Sequence, residues 1–275
     1  MSDRERLSIK RRIDHESISE VAAAGPIDSL SITDVPLVTV RHAALLAQGL
    51  PTVRQLWLWA KVTRSAMSHL IELPGLETLD VLQLTSEARW RHVDRAVVLQ
   101  QLRIALCLNH DDLIAISRSH SIRELSVRGA SLTRDAFVAL LDMPKLESLD
   151  VEETVFDDWM AARVSRVPRI TALDVGASRM TGSGLRRLAQ MSQLRSLDIW
   201  ATRIETTDLA TLTDLTALEY LSVGGYAGVP NLEPEMMVAQ LLRLPSLKKV
   251  WIDGVPRTDT LHERLSARIE KVLWS

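Results

Sequence analysis

The 275-residue sequence predicts an α/β solenoid, a curved right-handed coil of about ten units with a parallel sheet on its concave side and short helices on its convex side. Three observations lead there. One pattern, apolar at its first, fourth and sixth places and usually small or apolar at its ninth, is written ten times in a single frame. The copies begin at Ile27, Val53, Leu76, Leu99, Ile122, Leu146, Ile170, Leu194, Leu218 and Leu247, at steps of 26, 23, 23, 23, 24, 24, 24, 24 and 29 residues. The composition, 46% hydrophobic and 25% charged, is that of a folded chain long enough to bury a core without disulfides or a structural metal.

The elements follow in order. Solenoid ends need covers, and residues 1–26, a charged stretch followed by EVAAAGP, are read as an N-terminal cap whose helical part carries Ile13, Ile18 and Val21 to Ala23. Residues 27–255 are the repeats. In each, the fourth and sixth residues alternate with polar ones, as Leu149 and Val151 or Leu173 and Val175 do, which is the period of a strand with one buried face. A helical stretch comes next. Thr133 is placed to cap one with Phe137, Leu140 and Leu141 on its inner side, and Leu185, Leu188 and Ala189 line another. Pro51, Pro74, Pro144, Pro168 and Pro245 stand two places before the next copy and stop the helix there. Residues 256–275 are read as a C-terminal helical cap, with Leu261, Leu265, Ile269 or Val272, and Leu273 at helical spacing.

Copies such as KLESLDVEET, RITALDVGAS and QLRSLDIWAT carry the first, fourth and sixth apolar places of L-x-x-L-x-L-x-x-N/C-x-L, and the chain from residue 27 to about 255 resembles the leucine-rich repeat family. It departs from the family at the ninth place, where Thr154, Ser178, Thr202 and Cys107 replace asparagine. A hydroxyl there can bond backbone in the turn after the strand. Val35 and Lys61 fit that place less well, and Cys107 is expected to be a small buried residue. By analogy, the resemblance implies a protein that makes protein contacts.

If the fourth and sixth residues point inward, the third, fifth and seventh line the concave face. These thirty positions hold seven acids (Asp80, Glu124, Asp150, Glu152, Asp174, Asp198, Asp253) and three bases (Arg103, Arg128, Lys249), although the chain as a whole has a formal charge of only −2. Asp150, Asp174 and Asp198 occupy the fifth place of successive units and should stand roughly 5 Å apart, where like charges destabilise a sheet. Trp57, Trp59, Trp200 and Trp251, four of the seven tryptophans, fall on the same thirty positions. Exposed tryptophans are common binding anchors. Trp200, between Gly176 and Gly224 and next to Asp174, Asp198 and Tyr220, suits an arginine or lysine of a partner. Trp57, Trp59 and Trp251 carry two readings, a partner contact or packing against the caps.

Other chemistry is not indicated. There is no phosphate-cradling glycine loop, no G-x-S-x-G, no H-E-x-x-H and no C-x-x-C. His110, Asp111 and Asp112 read as a helix start, where acids complement the dipole. His42, His69 and His92 read as outer surface residues, and the lone cysteine excludes an intrachain disulfide. We therefore expect no enzyme, no cofactor and no metal. The near-neutral charge argues against nucleic acid and anionic membranes as partners. No apolar run approaches a membrane span, and the basic start MSDRERLSIKRRIDHES lacks the apolar stretch of a signal peptide, so the cytoplasm is the expected compartment. The expected function is recognition of another protein through a basic or mixed segment held against Asp150, Glu152, Asp174, Asp198, Trp200 and Tyr220. The alternatives are a self-assembling scaffold and an exported effector acting on a protein of another cell; the sequence sets no oligomeric state.

Overall fold

The computed structural model describes residues 7–85, 93–226 and 232–275. It comprises two units, residues 1–146 and 147–275. The first holds strands β1 (Leu7–Lys10), β2 (Ser29–Val38), β3 (Gln55–Val62), β4 (Thr78–Leu84), β5 (Gln101–Ile104) and β6 (Glu124–Ser126). Helices α1 (His15–Ala23), α2 (Val40–Gly49), α3 (Arg64–Leu70), α4 (His110–Ile116) and α5 (Arg134–Leu141) alternate with them, and the described residues between β4 and β5 include a 3₁₀ turn, Val93–Arg95. Each strand pairs in parallel with the next in chain order.

The second unit repeats the arrangement. Strands β7 (Ser148–Asp150), β8 (Ala172–Asp174), β9 (Ser196–Asp198), β10 (Tyr220–Gly224), β11 (Lys249–Asp253) and β12 (Lys271–Trp274) are parallel and in order. Between them lie α6 (Asp158–Val164), α7 (Gly182–Leu188), a 3₁₀ helix (Thr206–Asp214), α8 (Pro234–Leu241) and α9 (Asp259–Ser266). Parallel strands joined by crossover helices, one coil per repeat, are the solenoid architecture that the repeat predicts.

The repeat places do what their chemistry requires. Fourth and sixth residues such as Leu56, Leu58, Leu149, Val151, Leu173 and Val175 are buried. Thr133 caps α5 by accepting the Ala136 N–H at 3.2 Å, and Phe137, Leu140 and Leu141 are buried beneath it. At the ninth place, Thr154 and Thr202 are buried and donate to the carbonyls of Val151 and Ile199, both at 2.7 Å. The hydroxyl thus closes the turn at the place where the leucine-rich repeat pattern has asparagine or cysteine. The eighth place takes a left-handed backbone in several coils, as at Glu153, Ala177, Ala201 and Gly254.

Three expectations are corrected. Cys107 is exposed, with φ of 71°, so the turn carries its side chain outward to Gln83 Nε2 at 3.3 Å. The N-terminal segment is not helical alone: β1 precedes α1, and Leu7 and Ile9 pair with Leu30 and Ile32 as fourth and sixth places of a further coil. At the C-terminus the helix ends at Ser266 and Val272 and Leu273 belong to β12, where Leu273 is exposed and Trp274 takes the buried sixth place.

Candidate functional site

In the second unit the register Asp150–Asp174–Asp198–Ser222 forms one column across β7 to β10. The three carboxylates are half-buried, and each accepts the N–H two residues on: Glu152 to Asp150 and Gly176 to Asp174 at 2.9 Å, Trp200 to Asp198 at 2.8 Å. Aspartate recurs at the fifth place because its side chain is short enough to bond its own backbone in this way. That repeated turn opposes the repulsion between neighbours.

It does not remove it. The carboxyls converge over Gly176, where a Cβ would stand 3.2 Å from Asp174 Oδ1, 3.3 Å from Glu152 Cγ and 3.4 Å from Asp198 Oδ1. Burial, followed by the charges of Asp198, Asp150 and Glu152, pushes Asp174 up to about 8. Burial also raises Asp198, against the Trp200 amide and the Ser222 hydroxyl, which favour its ionised form. Asp150, Glu152 and Asp174 can present oxygens within 4.8 Å of one another, the donor type of a hard cation. Asp150 and Asp174 each already commit one oxygen to backbone.

The aromatic groups beside this column are arranged differently from the sequence reading. Trp200 donates its indole N–H to Asp253 Oδ2 at 3.2 Å and meets Tyr226 edge to face at 4.6 Å between ring centres. Gly224 is glycine for its backbone: φ is 108° and a Cβ would fall 1.9 Å from the Asp253 carbonyl oxygen. Tyr220 is half-buried, with its own chain's Lys249 Nζ 4.8 Å from the ring centre. Trp251 on β11 is 45% exposed and Tyr226 is 62% exposed. Tyr226 lies outside the three columns read from the sequence, and its proximity to Trp200 has no signal in the repeat.

In the first unit, Trp57 and Trp59 stand at the fifth and seventh places of β3. Trp59 is 55% exposed, and Trp57, half-buried, lies in register between Ser31 and Asp80. The two tryptophans thus stand apart in sequence and unit from the aspartate column. His42 Nδ1 accepts the Thr39 N–H at the start of α2, His69 is exposed on α3 with Nδ1 3.0 Å from the Ser65 carbonyl, and His110 Nδ1 lies 2.8 Å from the Thr133 hydroxyl. His92 lies outside the described residues. Asp112 is the third residue of α4, as the helix-start reading has it, but its carboxylate also meets Arg64, a partner the sequence does not indicate.

The comparisons agree with this architecture. The fold is similar to the crystal structure of an internalin, InlF, from Listeria monocytogenes strain 4b F2365, with a TM-score of 0.53 and 16% identity over 94% of this chain and 70% of that one. No protein-family model matches the chain. No curated protein matches it in sequence. The chain has the leucine-rich-repeat fold. Among the described residues no helix is long and apolar enough to cross a membrane.

Proposed function

We propose that the chain is a non-enzymatic recognition module that holds a basic or mixed segment of a partner protein on the sheet face of its second unit. The fold supports this at the level of class, since solenoid sheets are extended binding surfaces. The observation that carries it is the carboxylate cluster over Gly176. Burial first, and then the charges of Asp198, Asp150 and Glu152, push Asp174 up to about 8, so its ionised form lacks a compensating cation there. A guanidinium or ammonium set among Asp150, Glu152, Asp174 and Asp198 would supply the missing charge. Trp200, Tyr226 and Trp251 supply aromatic area beside it. Tyr220 already faces Lys249, so a partner cation would have to displace that lysine to use the ring. Trp57 and Trp59 would form a separate contact on the first unit. The exposed free thiol of Cys107 suits a reducing compartment and supports a cytoplasmic setting.

Binding of a labelled arginine- and tryptophan-containing peptide, followed by fluorescence anisotropy, tests the reading. Affinity should fall about ten-fold or more with Trp200→Ala, as for an interface hot spot, and fall again as salt is raised. Equal affinity of wild type, Trp200→Ala and Asp174→Asn would remove this surface from consideration.

A further inference from the structure

The helix side of the same coils carries the opposite charge. Between residues 163 and 203 the sequence has eight arginines, no lysine and only two acids, Asp174 and Asp198, both in the column on the sheet face. Arg163 on α6 and Arg187 on α7 are 24 residues apart and occupy the same repeat place in successive coils, so like charges are stacked side by side. The two helices pack on each other. The outward face of α7 carries Ser183, Arg186 and Arg187, which line an open groove of about 340 Å³ with Gln190 just past the helix end. Next to it, Arg163 lies 4.8 Å over the Trp159 ring, and Arg166 follows one turn later, exposed.

Local structure explains part of this. A cation in the last turn of each helix complements the dipole, which accounts for Arg163 and for one of Arg186 and Arg187. Arg186 also meets Asp208 at 3.2 Å. No acid lies within ion-pair distance of Arg163, Arg166 or Arg187 among the described residues. We infer that this arginine face of α6 and α7 is a second interaction surface, and that it fits a short acidic segment of a partner protein.

The choice of partner class rests on the chemistry of the patch. Arginine to the exclusion of lysine favours groups that accept two parallel N–H bonds, as carboxylates do. The arginines span only two short helices, and Asp157 and Asp158 on one flank and Glu205 and Asp208 on the other interrupt any continuous basic track. A phosphate backbone running across would meet those acids, whereas an acidic peptide can place its charges between them. This surface is independent of the sheet face, so either can fail without the other.

A labelled oligoglutamate peptide titrated with the full chain at low salt tests it, with a single-stranded oligonucleotide of equal charge and anionic vesicles as competing probes. Saturable peptide binding is expected, weakened about ten-fold or more by the double variant Arg166→Ala, Arg187→Ala and unchanged by Trp200→Ala. The double variant leaves Arg163 on its tryptophan and should melt like wild type, so its loss of binding would not come from unfolding. Absence of peptide binding, equal binding by the double variant, or tighter binding of the oligonucleotide or vesicles would overturn the inference.

Discussion

The guanidinium of Arg64 and the carboxylate of Asp112 form a buried pair, Nη2 to Oδ2 at 2.6 Å and Nε to Oδ1 at 2.8 Å, across 48 residues of sequence. Arg64 opens α3 and Asp112 sits in the first turn of α4, and their side chains are 3% and 1% exposed. Arg64 Nη2 also donates to the Cys107 carbonyl at 2.9 Å, and Asp112 Oδ2 accepts the Asn109 N–H at 3.0 Å. One repeat lies between the partners, and the pair ties the helices α3 and α4 on either side of it.

Removing one partner leaves the other charge buried alone. Arg64→Ala or Asp112→Ala should therefore cost about 3–5 kcal/mol in urea unfolding, while the apolar double replacement Arg64→Met, Asp112→Leu should cost clearly less than either. A single variant as stable as wild type would show that the pair contributes nothing to the fold.

Asp174 makes stability depend on pH in a defined direction. Its folded value, about 8, lies above its ordinary value of 3.8, so between those limits the folded chain holds a proton that the unfolded chain has released. Its contribution is greatest below pH 4 and declines as pH rises toward 8. Asp198 is shifted the same way, and Asp150 and Glu152 face the pair. Asp174→Asn can still accept the Gly176 N–H and should flatten the fall in melting temperature between pH 5 and pH 8. An unchanged slope would mean that Asp174 is ionised throughout that range.

The same linkage reaches the proposed binding reaction. A bound cation lowers the affinity of the cluster for protons, so binding of the basic peptide near neutral pH should release protons and tighten as pH rises. Isothermal titration in two buffers of different ionisation enthalpy measures the release directly. Proton uptake, or none, would count against Asp174 as a contact.

Most of the fold was legible because the buried fourth and sixth places recur at almost constant step, and only a stacked sheet reconciles that spacing with burial. The terminal coils were hidden for particular reasons. The first has Arg4 where the pattern wants an apolar residue. The last, Ile269, Val272 and Trp274, is shadowed by Leu273, which restores helical spacing over so short a stretch. The aspartate column was legible, since register follows repeat place, but its protonation was not, because that depends on how far Glu152 and Asp198 close over Gly176. The contacts of Trp200 with Asp253 and Tyr226 were not legible, because both reach it from other coils.

The ninth-place hydroxyl is a direct test of how the coils close. Thr202 is fully buried, and its donation to the Ile199 carbonyl would be lost in Thr202→Val, which leaves that oxygen only the backbone N–H of residue 202 at 3.4 Å, at a cost of about 0.5–1.5 kcal/mol. Thermal or urea unfolding reports it. A valine variant as stable as wild type would mean that shape alone closes this turn.

Backbone conformation after the strands gives a pair of substitutions with unequal costs. Gly224 has φ of 108°, and a Cβ there would collide with the Asp253 backbone, so Gly224→Ala must strain the chain and displace β11 locally. A loss of about 1–3 kcal/mol or more is expected. Ala201, at the eighth place of the preceding coil, already carries a Cβ at φ of 52°, a conformation in which glycine is at ease. Ala201→Gly relieves that strain but frees the unfolded chain, so its net effect should lie within about 1 kcal/mol of zero. Denaturant midpoints of the two variants separate the cases: Gly224→Ala should lie far below wild type and Ala201→Gly close to it, and the reverse order would mean that the turn after β9 is built on its alanine side chain rather than on its left-handed backbone.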